Sequence, residues 1–389
     1  MNTPKAFKQY LARHAEPQIK ALVHLPMQQW DRVICIPAYN EAGYFLDRLI
    51  TLATTTEKNI LLILSINQPE GSQACPNNQR LYLQATKHNY WQKEGLSLSQ
   101  KQNLSILTID QFSLSHQIPK KFGVGLARKT ACDLAIDLIA KGRVASQMIY
   151  STDADTQLPT DYFDSDLNAN SSAGIFPFKH LAHADHAITE ATRLYEKSLD
   201  AYVKGLEAAQ SPYAYHTIGS CLLIDAISYC QVRGFPKRSG AEDFYLLNKL
   251  NKIKPVSTLP GPTLEIDSRI SDRVPFGTGP AVNKLVKKET SETALFYPEQ
   301  SYRDLKQWLT YLNYRAAKVE NNLALFALKQ ALNNTEQKTI ATHAYQFELD
   351  AFLIKLFANF KNPIHRQTEI HKWFDGFKTL KFIRQYATE

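Results

Sequence analysis

The sequence predicts an α/β fold: a mostly parallel sheet flanked by helices, followed by a helical C-terminal region. Two observations carry this. From Asp31 to about Pro280, short apolar runs alternate with segments of helical spacing, and beyond Pro280 only helical spacing remains. Val33-Ile34-Cys35-Ile36-Pro37 is a continuous apolar run, as in a parallel strand buried on both faces. Phe45, Leu49 and Leu52 then mark a helix. Ile60 to Ile66 and Leu104 to Ile109 are the next strands. Leu126 to Ile139 reads as a helix, with Ala127, Ala131, Leu134, Ala135 and Leu138 on one side, and Gln147 to Thr152 is a fourth strand. Past Pro280, three amphipathic helices are marked by Leu305, Trp308, Leu309 and Leu312; by Leu349, Phe352, Leu353, Leu356 and Phe357; and by Ile370, Trp373, Phe374 and Phe377. The expected division is a helical N-terminal extension (1–30), a sheet domain (31–280) and a helical region (281–389). No role is assigned to Ser72 to Asn103.

Composition narrows the class. The 389 residues hold a large domain plus a smaller one, and 44% hydrophobic with 21% charged residues describes a globular chain. The formal charge of +8 suits an anionic small substrate or an acidic surface. No nucleic-acid recognition module appears, so nucleic acid is not an expected partner. Cys35, Cys75, Cys132, Cys221 and Cys230 are scattered and odd in number, which argues against a disulfide framework or zinc site and for a reducing compartment. Met1 to Trp30 lacks the apolar core of a signal peptide, and no run is long enough to span a membrane. A cytoplasmic location is expected. Lys372, Lys378, Lys381 and Arg384 beside the last aromatics leave peripheral membrane contact open, although amphipathic helices usually bury such faces in protein.

One motif carries chemistry. Asp153-Ala154-Asp155 ends the strand-like run Met148 to Tyr150. If strand alternation continues, both carboxylates leave one side, and such a pair suits Mg2+ or Mn2+ shared with substrate phosphates. An Asp-x-Asp arises about once by chance in a chain this long, and a second does occur at Asp164-Ser165-Asp166, in a loop-like context. Strand-end positions of an α/β sheet line its ligand crevice. Pro37, Ala38, Tyr39, Asn40, Glu41, Asn67 and Asp153 all follow strand ends.

The segment Val33 to Glu41, ending Pro37-Ala38-Tyr39-Asn40-Glu41, resembles the opening strand of family 2 glycosyltransferases with the GT-A fold. Three further landmarks follow in the family's order: Gly123-Val124-Gly125-Leu126-Ala127-Arg128, Asp153-Ala154-Asp155, and Gly234-Phe235 followed by Gly240-Ala241-Glu242-Asp243. The resemblance covers roughly Asp31 to Pro280. It implies a GT-A (Rossmann-like, nucleotide-diphospho-sugar transferase) domain moving a sugar from a UDP- or GDP-linked donor to a hydroxyl acceptor of unknown identity, with inversion. It implies Mn2+ or Mg2+ on Asp155 and Asp153, and a catalytic base at Asp243 beside Glu242. The donor would lie against Pro37, Ala38, Tyr39, Asn40, Glu41, Asn67, Gly125, Arg128 and Asp153. Arg269 and Arg273, in the glycine-bearing segment to Pro280, would close over its diphosphate.

Each assignment has a plainer counterpart. Glu242 and Asp243 also suit a helix N-terminus; Gly123 and Gly125 suit a turn; Arg269 and Arg273 suit a linker; Arg128 suits a helix surface. His180, His183 and His186 sit at spacings of three, near one face if helical, but lack a zinc ligand set, and His216 is a further acceptor-side candidate. Asn67-Gln68 replaces the acidic residues that family members carry after the second strand. A histidine completing the metal site is not evident at 262–280. A nucleotidyltransferase, or a non-catalytic nucleotide-binding protein on the same scaffold, is the alternative.

Overall fold

The computed structural model describes residues 3–271, 277–317 and 341–387. It divides into two compact units. One comprises 1–196 and 215–289, the other 197–214 and 290–389.

The first unit holds a nine-stranded sheet. In chain order, α1 (Lys5–Arg13) precedes β1 (Arg32–Ala38), α2 (Tyr44–Thr55), β2 (Ile60–Asn67), α3 (Pro76–Thr86), β3 (Asn89–Lys93), β4 (Leu96–Lys101) and β5 (Leu104–Gln111). Then come α4 (Gly123–Ala140), β6 (Met148–Ser151), β7 (Thr156–Gln157), β8 (Ala173–Ile175), β9 (Phe178–His180) and α5 (His186–Ala208). Last are β10 (Leu222–Asp225), α6 (Ala226–Gln231), α7 (Glu242–Leu250), β11 (Val256–Thr258), β12 (Leu264–Ile266) and α8 (Thr278–Val286). The strand order is β11-β8-β10-β6-β1-β2-β5-β4-β3. Only β4 and β10 run against the rest, so the sheet is mostly parallel. All eight residues of β2 are buried, as its unbroken apolar run requires of a central strand.

The stretch 72–103, without a role in the sequence reading, forms α3 and the β3–β4 hairpin. Glu94 (φ +47) and Gly95 (φ +77) make the two-residue turn with positive φ at both positions, the form that matches strand twist. The alternating Leu96-Ser97-Leu98-Ser99 pattern is weaker than an apolar run, yet all four are buried, so strand β4 hides on both faces.

Helix α4 is buried almost all round, with fifteen of its eighteen residues inside. Lys129 and Asp133 are among them. Lys129 Nζ donates to Tyr10 Oη at 2.7 Å and to Asp133 at 2.8 Å. Tyr10 and Tyr229 also donate to Asp133, as does the Glu16 amide. This knot binds the N-terminal segment into the sheet unit and supplies the partners a buried charge requires.

The second unit packs α9 (Glu299–Ala317), α10 (Leu349–Asn359), α11 (Pro363–Trp373) and α12 (Gly376–Arg384) with the second half of α5 around Trp308, Leu312, Phe347, Ile370, Phe374 and Phe382. The third amphipathic stretch is two helices rather than one. Asp375 accepts from the amides of Phe377 and Lys378 and restarts the helix after Trp373. Lys372 therefore lies on α11, apart from Lys378, Lys381 and Arg384 on α12. No helix among the described residues is long and apolar enough to cross a membrane.

Candidate functional site

The carboxyl ends of β1, β2 and β6 lie side by side, with Ala38 opposite Ile66 and Cys35 opposite Ser151. The amide of Thr152 donates to the Cys35 carbonyl at 3.2 Å, one residue beyond strand β6. The chain then turns, Thr156 N donating to Asp153 O at 3.2 Å. Asp153 and Asp155 thus occupy a turn between the large sheet and the small β7-β12-β9 sheet, so strand alternation does not govern where they point. They face two different arginines. Asp153 Oδ1 accepts from Arg128 Nη2 at 2.8 Å, and Asp155 Oδ2 lies 2.5 Å from Arg269 Nη2. The other arm of Arg269 reaches Glu41 Oε2 at 2.9 Å, so one guanidinium clasps the segment after β1 to the turn after β6. Arg269 is brought there because the Asp267 amide donates to the Asp155 carbonyl at 2.9 Å. Arg273 lies outside the described residues.

The second acid pair sits at the opposite end of the sheet. The Phe163 carbonyl accepts from Arg32, the first residue of β1, and Asp164 pairs with Lys58. Residues Asp164 and Asp166 therefore have no access to the carboxyl ends of the strands.

Arg128 is neither a surface residue nor open to a ligand. Its side chain is 2% exposed and every arm is engaged. Nε donates to Glu242 at 3.2 Å, Nη1 to Ser151 Oγ at 3.1 Å and to the Gly219 carbonyl at 3.2 Å, and Nη2 to Asp153. It joins the β6 turn to the start of α7. A Cβ on Gly219 would fall 2.9 Å from Arg128 Nη2 and 3.3 Å from Asp243 Oδ2, so any side chain there would push on this junction.

Glu242 and Asp243 open α7 after Ala241, which holds φ +60. Asp243 Oδ1 accepts from the Phe244 amide at 2.7 Å, so it does serve the helix start. Its carboxyl is nevertheless pushed up to about 7, first by burial and then by the neighbouring Glu242 charge, with Arg128 and the Phe244 amide pulling the other way. Burial likewise raises Glu242, against Arg128. Burial and the Asp243 charge push the Tyr195 phenol on α5 up to about 12.

The glycines before Arg128 serve packing. A Cβ on Gly123 would fall 2.6 Å from Ser239 Cα, and one on Gly125 would fall 2.5 Å from the Pro236 carbonyl and 2.7 Å from Arg238 N. Gly125 N donates to Arg238 O at 2.9 Å. The start of α4 is covered by the loop that leads to Glu242 and Asp243, so it presents no open cradle for phosphate. Gly125→Ala is expected to destabilise the chain by about 1–3 kcal/mol, since backbone must move to admit the methyl. Its urea midpoint should fall; an unchanged midpoint would sink this account of the glycine.

Asn67 is also committed, its side-chain amide donating to the carbonyls of Ala38 and Ser65. Asn78 on α3 ties these strand ends, accepting from the Asn40 amide at 2.9 Å and donating to the Asn67 carbonyl at 3.0 Å. Pro37 and Ala38 are buried, while Tyr39 and Asn40 retain exposure. Nothing local in the sequence distinguishes Asn78, Ser151, Tyr195 or Gly219; each acquires its place through residues far along the chain. The three histidines share no helix face: His180 ends β9, His183 is in a loop and His186 opens α5. His180 Nδ1 lies 2.7 Å from Glu196 Oε2, and Phe178 meets His216 edge-on at 5.2 Å.

Among the described residues no group of three or more His, Cys, Asp or Glu is arranged to hold a metal ion. Asp153 and Asp155 keep 34% and 16% side-chain exposure. Two carboxylates fit a hard divalent ion that draws its other ligands from water and phosphate oxygens, rather than a closed protein cage. The buried hydroxyls of Thr152 and Thr156, on either side of the turn, have no hydrogen-bond partner among the described residues.

No protein-family profile matches the chain, and no curated protein sequence does. Among solved structures it is similar to the mannosyltransferase PcManGT from Pyrobaculum calidifontis in complex with GDP-Man and Mn2+, at 12% identity and a TM-score of 0.37, over 96% of this chain and 94% of that one. It is also similar to S. aureus TarS, at 11% identity and a TM-score of 0.37, over 88% of this chain. The match spans 55% of TarS, about half its length.

Proposed function

We propose that this chain is a GT-A-type glycosyltransferase that moves a sugar from a nucleotide-sugar donor to a hydroxyl acceptor, with inversion. The observation that carries this reading is the junction at Arg128. It joins a partly exposed acid turn at the carboxyl ends of parallel strands to an acid pair whose Asp243 is pushed up to about 7. A donor site and a general base are the two parts that direct displacement needs.

In this reading the acceptor hydroxyl gives its proton to Asp243 as its oxygen bonds to the anomeric carbon, and the bond from that carbon to the diphosphate breaks. Asp153 and Asp155 would hold Mg2+ or Mn2+, which supplies charge neutralisation to the departing diphosphate. Arg269, now between Glu41 and Asp155, is placed to pair with the same anion. Arg128 fixes Glu242 and Asp153 and makes no contact with substrate. Burial and the pairing of Asp133 with Lys129 hold α4 beneath them.

The test is a panel of UDP- and GDP-linked sugars with Mn2+ or Mg2+, scored by thermal shift and by release of nucleoside diphosphate, with Asp155→Ala as control. At least one donor should stabilise the wild type by several degrees, and the variant should lose most of that shift. Pyrophosphate release instead would favour a nucleotidyltransferase. No response to any donor, with Asp155→Ala indistinguishable from wild type, would remove the proposal.

A further inference from the structure

Within the sheet unit, α1 and the end of α6 line an open cavity of about 500 Å3 that shares no lining residue with the strand-end crevice. Helical spacing of four brings Lys5, Gln9 and Arg13 to one side of α1, and His14 follows at its end. Gln231 and Arg233 come from α6 and the turn after it. Arg233 holds φ +65 directly before Gly234 at φ +68. That turn is fixed by packing, since a Cβ on Gly234 would fall 2.5 Å from Tyr10 Oη.

The lining carries three permanent cations, an imidazole and two amides, and no carboxylate. The side chains of Lys5, Arg13 and Arg233 make no ion pair or hydrogen bond among the described residues; the Arg233 backbone amide donates to the Cys230 carbonyl. Elsewhere in the unit, Arg32, Arg128, Arg143 and Arg269 each bond to a carbonyl or carboxylate. The nearby acids are already used. Asp133 is taken by Tyr10, Tyr229 and Lys129, and Glu16 by Lys237 at 2.8 Å. The concentration of positive charge is felt by His14, held below its ordinary value by lost hydration and by Arg233, Lys129 and Arg13.

We propose that this cavity binds a phosphate group, carried by a soluble small molecule or by a lipid headgroup. Arg13 and Arg233 supply guanidinium forks of the kind that suit a phosphate, which accepts paired hydrogen bonds in fixed directions, and Lys5, two turns away on α1, adds positive charge to the same lining. The volume lies in the range of small-molecule sites and exceeds what a bare phosphate fills, leaving room for an organic part beside Gln9 and Gln231. Arg13 and Arg233 are exposed, so bringing an anion to them removes little water, and binding should weaken with salt.

The test titrates inorganic phosphate into the full chain at constant ionic strength, with sodium chloride making up the balance. The readout is the His14 imidazole resonance, identified with His14→Gln. This reports on the cavity alone, whatever the strand-end crevice binds. A saturable shift toward the imidazolium form is expected, with affinity falling about tenfold for each arginine removed in Arg13→Ala and Arg13→Ala/Arg233→Ala. Both positions are exposed, so the melting temperature of the double variant without phosphate should match the wild type. A second arm sediments the protein with phosphatidylcholine vesicles with or without phosphatidic acid. Binding only to the acidic vesicles, lost in the double variant, assigns the headgroup source; phosphate saturation without vesicle binding assigns the soluble one. The proposal is overturned if chloride alone reproduces the His14 shift, if the double variant binds as the wild type does, or if neither phosphate nor acidic vesicles perturb His14.

Discussion

Asp243→Asn is expected to lower sugar transfer by about 100- to 10,000-fold, the range supplied by a positioned general base. The amide keeps the oxygen that accepts from the Phe244 N–H, so the start of α7 survives and only the titratable function is lost. The wild-type rate should rise with pH through about 7, because the base works only when ionised and burial and Glu242 hold its carboxyl there. Glu242→Gln removes the repelling charge and should move that limb to lower pH. Stability provides a second readout. An unfolded aspartate ionises near pH 4, so between about 4 and 7 the folded chain binds the extra proton and loses stability as pH rises. The amide in its place does not titrate and carries no such loss. The variant should therefore melt at or above the wild-type temperature at pH 8, with no advantage at pH 4. A variant that turns over donor normally would reduce Asp243 to a helix-start residue.

Arg128→Met is expected to be among the most destabilising single changes in the sheet unit, by about 3–5 kcal/mol, because it leaves buried carboxylates without their counter-charge. Glu242 is 6% exposed and Arg128 2%, so neither end of this pair is rescued by water. Without the guanidinium, burial and the Asp153 charge act on Glu242 against a backbone hydrogen bond alone and raise its carboxyl further. The folded variant then takes up a proton that the unfolded chain releases above about 4.5, so the loss grows as pH rises. Urea unfolding at pH 5 and pH 8 should differ accordingly, and Arg128→Met/Glu242→Gln should recover part of it. Equal midpoints for wild type and Arg128→Met at pH 8 would show that the buried pair contributes nothing net. Arg128→Lys is not expected to substitute, since one ammonium cannot reach Glu242, Ser151, Gly219 and Asp153 together.

The main strands were legible because burial on both faces writes an unbroken apolar run. Val33 to Pro37, Ile60 to Ile66 and Leu104 to Ile109 fall within β1, β2 and β5. The β3–β4 hairpin was not legible, because Leu96 to Ser99 alternates like a half-exposed strand while its serines are buried. The last amphipathic stretch read as one helix because Trp373, Phe374 and Phe377 keep the period across Asp375, whose cap only the backbone reveals. Reading Asp153 and Asp155 as a pair on one strand face failed for a local reason: the strand stops at Ser151 and the acids sit on a turn.

By itself the sequence determined the four adjacent parallel strands β6, β1, β2 and β5, the helical spacing beyond Pro280 and the few chemically able side chains at strand ends, since apolar period and residue type are local properties. It did not determine what each charge faces. Arg128 meets Glu242 across 114 residues and Arg269 meets Glu41 across 228, so only the folded chain decided that one arginine is a buried junction and the other a clasp over the crevice. The same separation hid the 4–7 window of Asp243. A carboxyl's proton affinity is set by the water it loses and the charges it gains, and both are fixed only once α7 packs beside α4 and the β6 turn.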